Sequence, residues 1–276
     1  MKLDAHQHFW KYDSVRDTWI DNSMRVLKTD FLPIDFENEI VCCAIDGCIA
    51  VQADQSEEET DFLLDLARHN PIIKGVVGWV DLRAANVEER LAEFSENPLF
   101  KGVRHIVQAE ADVDFMLQPE FKRGISALSQ FNLTYDILIH SDQLTMATEL
   151  VRCFPDQSFV LDHIAKPRIK DQVMSPWKER IKELAKEPNV FCKLSGLVTE
   201  ADWHAWRPGD IYPYLDVVFE AFGTDRLMFG SDWPVCQLAG GYEIVHELLD
   251  SYLEPFSQED KDKIWGHNAV KFYKLG

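Results

Sequence analysis

Short apolar runs recur along the chain and alternate with stretches whose apolar positions repeat at helical spacing. The short runs read as eight strands: Leu3–Phe9, Gly47–Gln52, Gly75–Val80, Gly102–Val107, Tyr135–His140, Phe159–His163, Val190–Ser195 and Leu227–Asp232. In the first, two-residue alternation puts Leu3, Ala5 and Gln7 on one face and Asp4, His6 and His8 on the other. Helix signals lie between the runs. Ser56 stands three residues before Glu59, a capping box opening a helix over Glu57–Arg68, and Asn86 precedes Val87-Glu88-Glu89 in the same way. Pro119 suits the first turn of a helix through Phe131, and Ser257 can cap a last helix ending near Tyr273. Leu63, Leu66 and Ala67, and again Ile181, Leu184 and Ala185, share one helical face. Tyr12–Leu32 and Ala165–Pro176 read as long loops.

Strands alternating with helices predict βαβ units and a parallel sheet. Eight units without a linker, repeat or low-complexity tract favour one closed (β/α)8 barrel over residues 1–276 rather than an open doubly wound sheet.

Composition narrows the function. Against 47 Asp and Glu stand 28 Lys and Arg, a net charge of −19 that repels nucleic-acid phosphates and anionic membranes. No run approaches the ~18 apolar residues of a membrane span, and Met1–His8 lacks a signal-peptide core. Six cysteines without a C-x-x-C pair read as buried free thiols of a cytoplasmic protein. The expected partner is a small molecule, with homo-oligomerisation left open.

In such a barrel, reactive residues stand at the C-terminal ends of the strands. That rim carries His6 and His8, Gln52, Trp79, Arg104 and His105, His140, His163, Lys193 and Ser195, and Asp232. His6 and His8, two apart on a strand, can chelate one divalent ion from the same face. Arg104 suits a carbonyl or carboxylate, or a structural ion pair. Lys193 can equally snorkel at an edge. Trp203 and Trp206 fit helix packing or a lid over a sugar ring.

Four segments carry a resemblance: Asp4-Ala5-His6-Gln7-His8-Phe9-Trp10, Leu161-Asp162-His163-Ile164-Ala165-Lys166-Pro167, Lys193-Leu194-Ser195-Gly196-Leu197 and Phe229-Gly230-Ser231-Asp232-Trp233-Pro234. Together they resemble the amidohydrolase superfamily, and within it the sugar-lactonase branch. The resemblance implies a distorted (β/α)8 barrel with His6, His8, His163 and Asp232 in the site. No lysine stands in the fourth run, Gly102–Val107, where Arg104 and His105 stand instead, so a carboxylated lysine bridging two metals, and with it a binuclear centre, is not expected. One divalent ion, zinc first, would sit on His6, His8 and Asp232 with His140 or His163, though the branch also includes metal-independent members. The implied reaction is hydrolysis of a sugar-acid lactone. Asp232 would be the base, with the oxyanion met by a metal, His163 or Arg104. Gln52, Trp79, His105, Lys193, Ser195 and Trp203 would bind substrate. The alternatives are decarboxylation, which needs a carboxylate clamp such as Arg104, hydrolysis of another ester or amide, and a non-catalytic sugar-binding barrel.

Overall fold

A computed structural model describes residues 1–276. The strands are β1 (Leu3–Gln7), β2 (Gly47–Val51), β3 (Ile73–Gly78), β4 (Phe100–Ile106), β5 (Thr134–Leu138), β6 (Phe159–Leu161), β7 (Val190–Leu194) and β8 (Leu227–Phe229). They pair in parallel in sequence order. One main helix follows each strand: α1 (Pro33–Ile40), α2 (Glu57–His69), α3 (Val87–Ser95), α4 (Pro119–Leu128), α5 (Leu144–Cys153), α6 (Trp177–Leu184), α7 (Pro208–Phe222) and α8 (Tyr242–Leu253). This is the expected distorted (β/α)8 barrel. The ring closes just beyond β1 and β8, where His8 N–H donates to Trp233 O (2.7 Å) and Asp232 N–H to His6 O (2.8 Å). The seam is thus built from the candidate site residues themselves. No helix is long and apolar enough to cross a membrane.

Local chemistry sets the helix starts, with one difference from expectation. Ser56 Oγ accepts the Glu59 N–H (3.2 Å). The Glu59 carboxylate reaches past Ser56 to accept from Ala53 N–H (3.0 Å) and Asp54 N–H (2.6 Å), tying down the β2–α2 loop. Asn86 makes no side-chain cap bond, because its backbone (φ −99°, ψ 22°) is not in the extended form that aims a capping oxygen at the next turn. All six cysteines are free, but Cys42 and Cys153 are exposed rather than buried.

The barrel interior is layered. Leu3, Ala5, Ile49, Val51, Val77, Val160 and Met228 pack with Ala269, Phe272 and Tyr273 of the C-terminal segment, which plugs the floor. Each such apolar side chain contributes about 1.5–3 kcal/mol by burial if as large as Val or Leu. Above the plug lie four charged residues, Arg104, Asp136, Asp162 and Lys193, each 0–3% exposed. Lys193 Nζ donates to Asp136 Oδ2 (2.5 Å) and lies 3.0 Å from Asp162 Oδ1. Arg104 Nη1 bonds Asp162 Oδ2 (3.2 Å), and Tyr273 OH donates up to Asp136 (2.9 Å). Two cations and two anions leave the layer neutral, which is what permits its burial.

The strict alternation expected of β1 does not hold. Its register runs Leu3↔Gly47, Asp4↔Cys48, then Gln7↔Ala50, so β1 advances three residues while β2 advances two. This bulge lets Ala5 and His6 both serve the interior, while Gln7 turns outward to Cys48 Sγ (3.2 Å).

Candidate active site

A cavity of about 470 Å³ opens above the charged layer. It is lined at the strand ends by His8, Arg104, His163 and Asp232, and from the loops by polar Gln108, Lys166, Thr199 and Glu200 and apolar Trp10, Trp19, Met24, Trp203, Val235 and Leu238.

The floor is wired from below. His6 Nδ1 stands 3.3 Å from Asp162 Oδ1 and 3.2 Å from Lys193 Nζ. Its Nε2 stands 3.2 Å from His8 Nε2 and 3.3 Å from Arg104 Nη1. Burial, reinforced by the Lys193 charge, holds His6 well below its ordinary pKa, so it is neutral. The His8 Nδ1–H donates to Val51 O (2.7 Å), which orients the ring and aims Nε2 at Asp232. Asp232 Oδ1 lies 3.4 Å from that Nε2 and 3.8 Å from His6 Nε2. Burial pushes the Asp232 carboxyl up, but His163 and His8 outweigh it and hold the group below its usual value, ionised.

His163 arrives by an unusual route. Alternation along β6 sends Val160 and Asp162 inward, and His163 should then point out. Instead His163, Ile164, Ala165 and Lys166 all take left-handed φ, between 47° and 60°. Left-handed backbone costs roughly 1–2 kcal/mol per non-glycine residue. The turn is held by Lys166 N–H to His163 O (2.8 Å) and by Trp177 Nε1–H to Ile164 O (2.7 Å). Ser195 Oγ sits 2.9 Å from His163 Nδ1, and burial keeps the ring well below its ordinary pKa. Asp232 is also left-handed, at φ 59°.

Several expected site residues are elsewhere. On β4, alternation separates neighbours: Arg104 faces the axis, and His105 faces outward, stacked on Phe115 (centroids 4.8 Å apart). The His105 Nε2–H meets Glu110 (2.7 Å) and its Nδ1 accepts Trp79 Nε1–H (3.3 Å), so both residues are satisfied outside the cavity. His140 is exposed and begins the turn before α5, and it joins neither the metal-ligand trio nor the cavity lining. Gln52 is buried, its Nε2–H donating to Arg104 O (3.1 Å) while its own carbonyl accepts from Arg104 Nη2. Lys193 and Ser195 lie under the floor and hold His6 and His163. Trp203 does line the cavity, its indole N–H on Thr199 O (2.8 Å). Lys166, Glu200, Thr199, Gln108, Trp10, Trp19 and Met24 also line the cavity and carry no strand-end signal, because all lie beyond the strands, on loops or, for Gln108, on a short helical turn.

The donor set suits one divalent ion. His6 Nε2, His8 Nε2 and Asp232 Oδ1 form one compact trio. Their separations of 3.2, 3.4 and 3.8 Å are close to the ~3.3 Å between ligands of a tetrahedral zinc. The other trio, His6, Asp162 and His163, fits poorly, because Asp162 is already committed to Lys193 and Arg104.

The chain matches the amidohydrolase family over residues 3–275. It belongs to that family and, within it, to the sugar-lactonase branch of hydrolases that act on cyclic esters. It is 41% identical over 286 residues to an L-fucono-1,5-lactonase of Burkholderia multivorans, covering all of this chain and 96% of the relative. A second L-fucono-1,5-lactonase, from Burkholderia ambifaria, is 34% identical over 99% of this chain and 96% of its own length. A crystal structure of a Burkholderia multivorans amidohydrolase with bound zinc is 40% identical, superposes with a TM-score of 0.97, and covers all of both chains.

Proposed function

We propose that the protein opens the ring of an aldonolactone of a six-carbon deoxy sugar, L-fucono-1,5-lactone first. The observation that carries this reading is one cavity lined by an ionised Asp232 with His8 and His163, by the polar side chains Gln108, Thr199 and Glu200, and by three tryptophans. Its volume lies within the range of small-molecule sites. The lactone's hydroxyls would meet Gln108, Thr199 and Glu200, and its methyl group and ring face the tryptophans. The two lactonase relatives support the substrate class.

In the reaction, Asp232 takes a proton from water as the water oxygen bonds to the carbonyl carbon. The bond from that carbon to the ring oxygen then breaks, and Asp232 returns the proton to the departing oxygen. The acid product ionises and releases one proton to solvent. His163 is a neutral imidazole able to donate toward the carbonyl oxygen. Both Nη atoms of Arg104 are committed to Gln52, Asp162 and His6, while its Nε–H has no protein partner. An arginine so engaged is a poor carboxylate clamp, which disfavours decarboxylation. A divalent ion, zinc first, would be held by His6, His8 and Asp232, and when bound would polarise the carbonyl or acidify water.

Proton release on a panel of aldonolactones, with and without chelator, tests the reading. Fast opening of L-fucono-1,5-lactone is expected. No turnover of any aldonolactone above the uncatalysed rate would overturn it, and loss of turnover with chelator would assign the ion a catalytic part.

A further inference from the structure

The charged layer commits its cations downward, yet the reaction proposed above creates negative charge upward, in the cavity. Arg104 has spent its Nη donors on Gln52, Asp162 and His6, and Lys193 is sealed beneath the floor with Asp136 and Asp162. Lys166 differs. It lines the cavity, half-buried, and makes no ion pair with Glu200 or Asp232 in the same cavity, whereas its neighbours Arg168 and Lys170 pair outside with Asp171 and Asp202. Its charge is nonetheless close enough to act on His163, Glu200 and Asp232.

The left-handed turn explains how it gets there. A turn closed by an i to i+3 bond has about three residues per turn, so its first and fourth side chains project the same way. The bond from Lys166 N–H to His163 O is of that kind. The strain of four left-handed residues therefore delivers an imidazole and an ammonium together to the cavity. Ile164 and Ala165, between them, are fully buried and face the core.

We propose that Lys166 is a catalytic residue whose ammonium receives the charge developing on the lactone carbonyl oxygen and then holds an oxygen of the product carboxylate. The inference rests on the lactonase reading and adds a residue to it. Lys166 forms and breaks no covalent bond. An ammonium with three free N–H donors, preset in a cavity shielded by tryptophans, stabilises such charge more than water does.

The test compares Lys166→Met, Lys166→Gln and Lys166→Arg with the wild type. Turnover of L-fucono-1,5-lactone is measured beside calorimetric binding of two non-reacting ligands. These are the open-chain aldonate, which carries the carboxylate, and 1,5-anhydro-L-fucitol, which keeps the ring and hydroxyls without a carbonyl. Met and Gln should lower kcat by about 10²-fold and weaken the aldonate about tenfold or more, with the cyclic ether changed less than about twofold. Arg should recover part of both losses. A kcat within about threefold of wild type in the folded Met or Gln variant overturns the inference, as does parallel weakening of ether and aldonate, which marks a hydroxyl-binding or structural role. Wild-type protein that opens no aldonolactone defeats the lactonase reading instead, and is distinguished by that control.

Discussion

Replacing Gly196 by Ala isolates the placement of His163. Gly196 adopts φ +64°, and a Cβ there would stand 2.6 Å from His163 Nδ1 and 2.9 Å from its Cγ. Ordinary contact begins near 3.4 Å, so the ring must move by about 0.8 Å. It has nowhere easy to go, since Ser195 Oγ holds Nδ1 at 2.9 Å and Trp177 pins the strained turn at Ile164 O. The backbone penalty is about 1–2 kcal/mol and the overpacking about 1–3 kcal/mol, giving about 2–5 kcal/mol in all. A shift of about 1 Å in a positioned group costs about 10²-fold in rate, so kcat/KM should fall by that order. Gly223→Ala is the control, because it too sits at φ +64° (with ψ 175°) but nothing lies within 4 Å of its added Cβ. Urea denaturation should show both variants destabilised, and lactone hydrolysis should show only Gly196→Ala impaired. If Gly196→Ala hydrolyses lactone as fast as Gly223→Ala, the position of His163 is not what the strained turn serves.

Asp232→Asn should lower kcat by about 10²–10⁴-fold with the circular dichroism spectrum unchanged. Because the folded carboxyl titrates below its ordinary value, Asp232 should cause no loss of kcat/KM between pH 8 and 5, and a steep loss there would assign the base elsewhere. Lys193→Met leaves Asp136 and Asp162 short of a cation and should cost about 3–5 kcal/mol by urea denaturation, with a cost near zero refuting the neutral-layer account. Glu59 is pushed up to about 8 by burial, against about 4.3 when unfolded. Its proton-linked stabilisation is therefore complete below pH ~4.3 and lost as pH rises through about 8, so Glu59→Gln should flatten the decline of stability across that window. Equal slopes for wild type and variant in pH-dependent melting would exclude Glu59 as the source. His8→Ala should abolish stoichiometric zinc uptake measured by elemental analysis, and undiminished uptake would move the ion off the His6, His8 and Asp232 trio.

All eight strands were legible because short apolar runs set between polar, helix-patterned stretches survive without tertiary knowledge. Helices with strong start signals were equally plain. α7 was harder to see, because Pro208, Gly209 and Pro213 lie within it. The site was legible in part. Asp232, His6, His8 and His163 stood out by residue type at strand ends, whereas the assignment of inward and outward faces needed more. Strict alternation would have separated Arg104 from His105, yet it fails at β1, where a bulge turns His6 inward, and at β6, where left-handed backbone returns His163 to the cavity. Neither departure has a local signal: Ile164, β-branched, is among the residues least expected in left-handed backbone.

Net charge misleads at the scale of the site. The chain carries −19, but its cavity is lined by Arg104 and Lys166 against Asp232 and Glu200, a balance of zero when all four are ionised. The acidic exterior acts through water and is screened within ~10 Å, while the buried layer acts across a few ångströms of protein with little screening. That is why His6 and His163 remain neutral inside an acidic protein: burial disfavours their charged forms, and Lys193 or Lys166 reinforces it. The same division of scales suits a neutral lactone becoming an anion. The cavity meets the charge as it forms, and the negative exterior favours departure of the aldonate once it leaves the wall of Lys166.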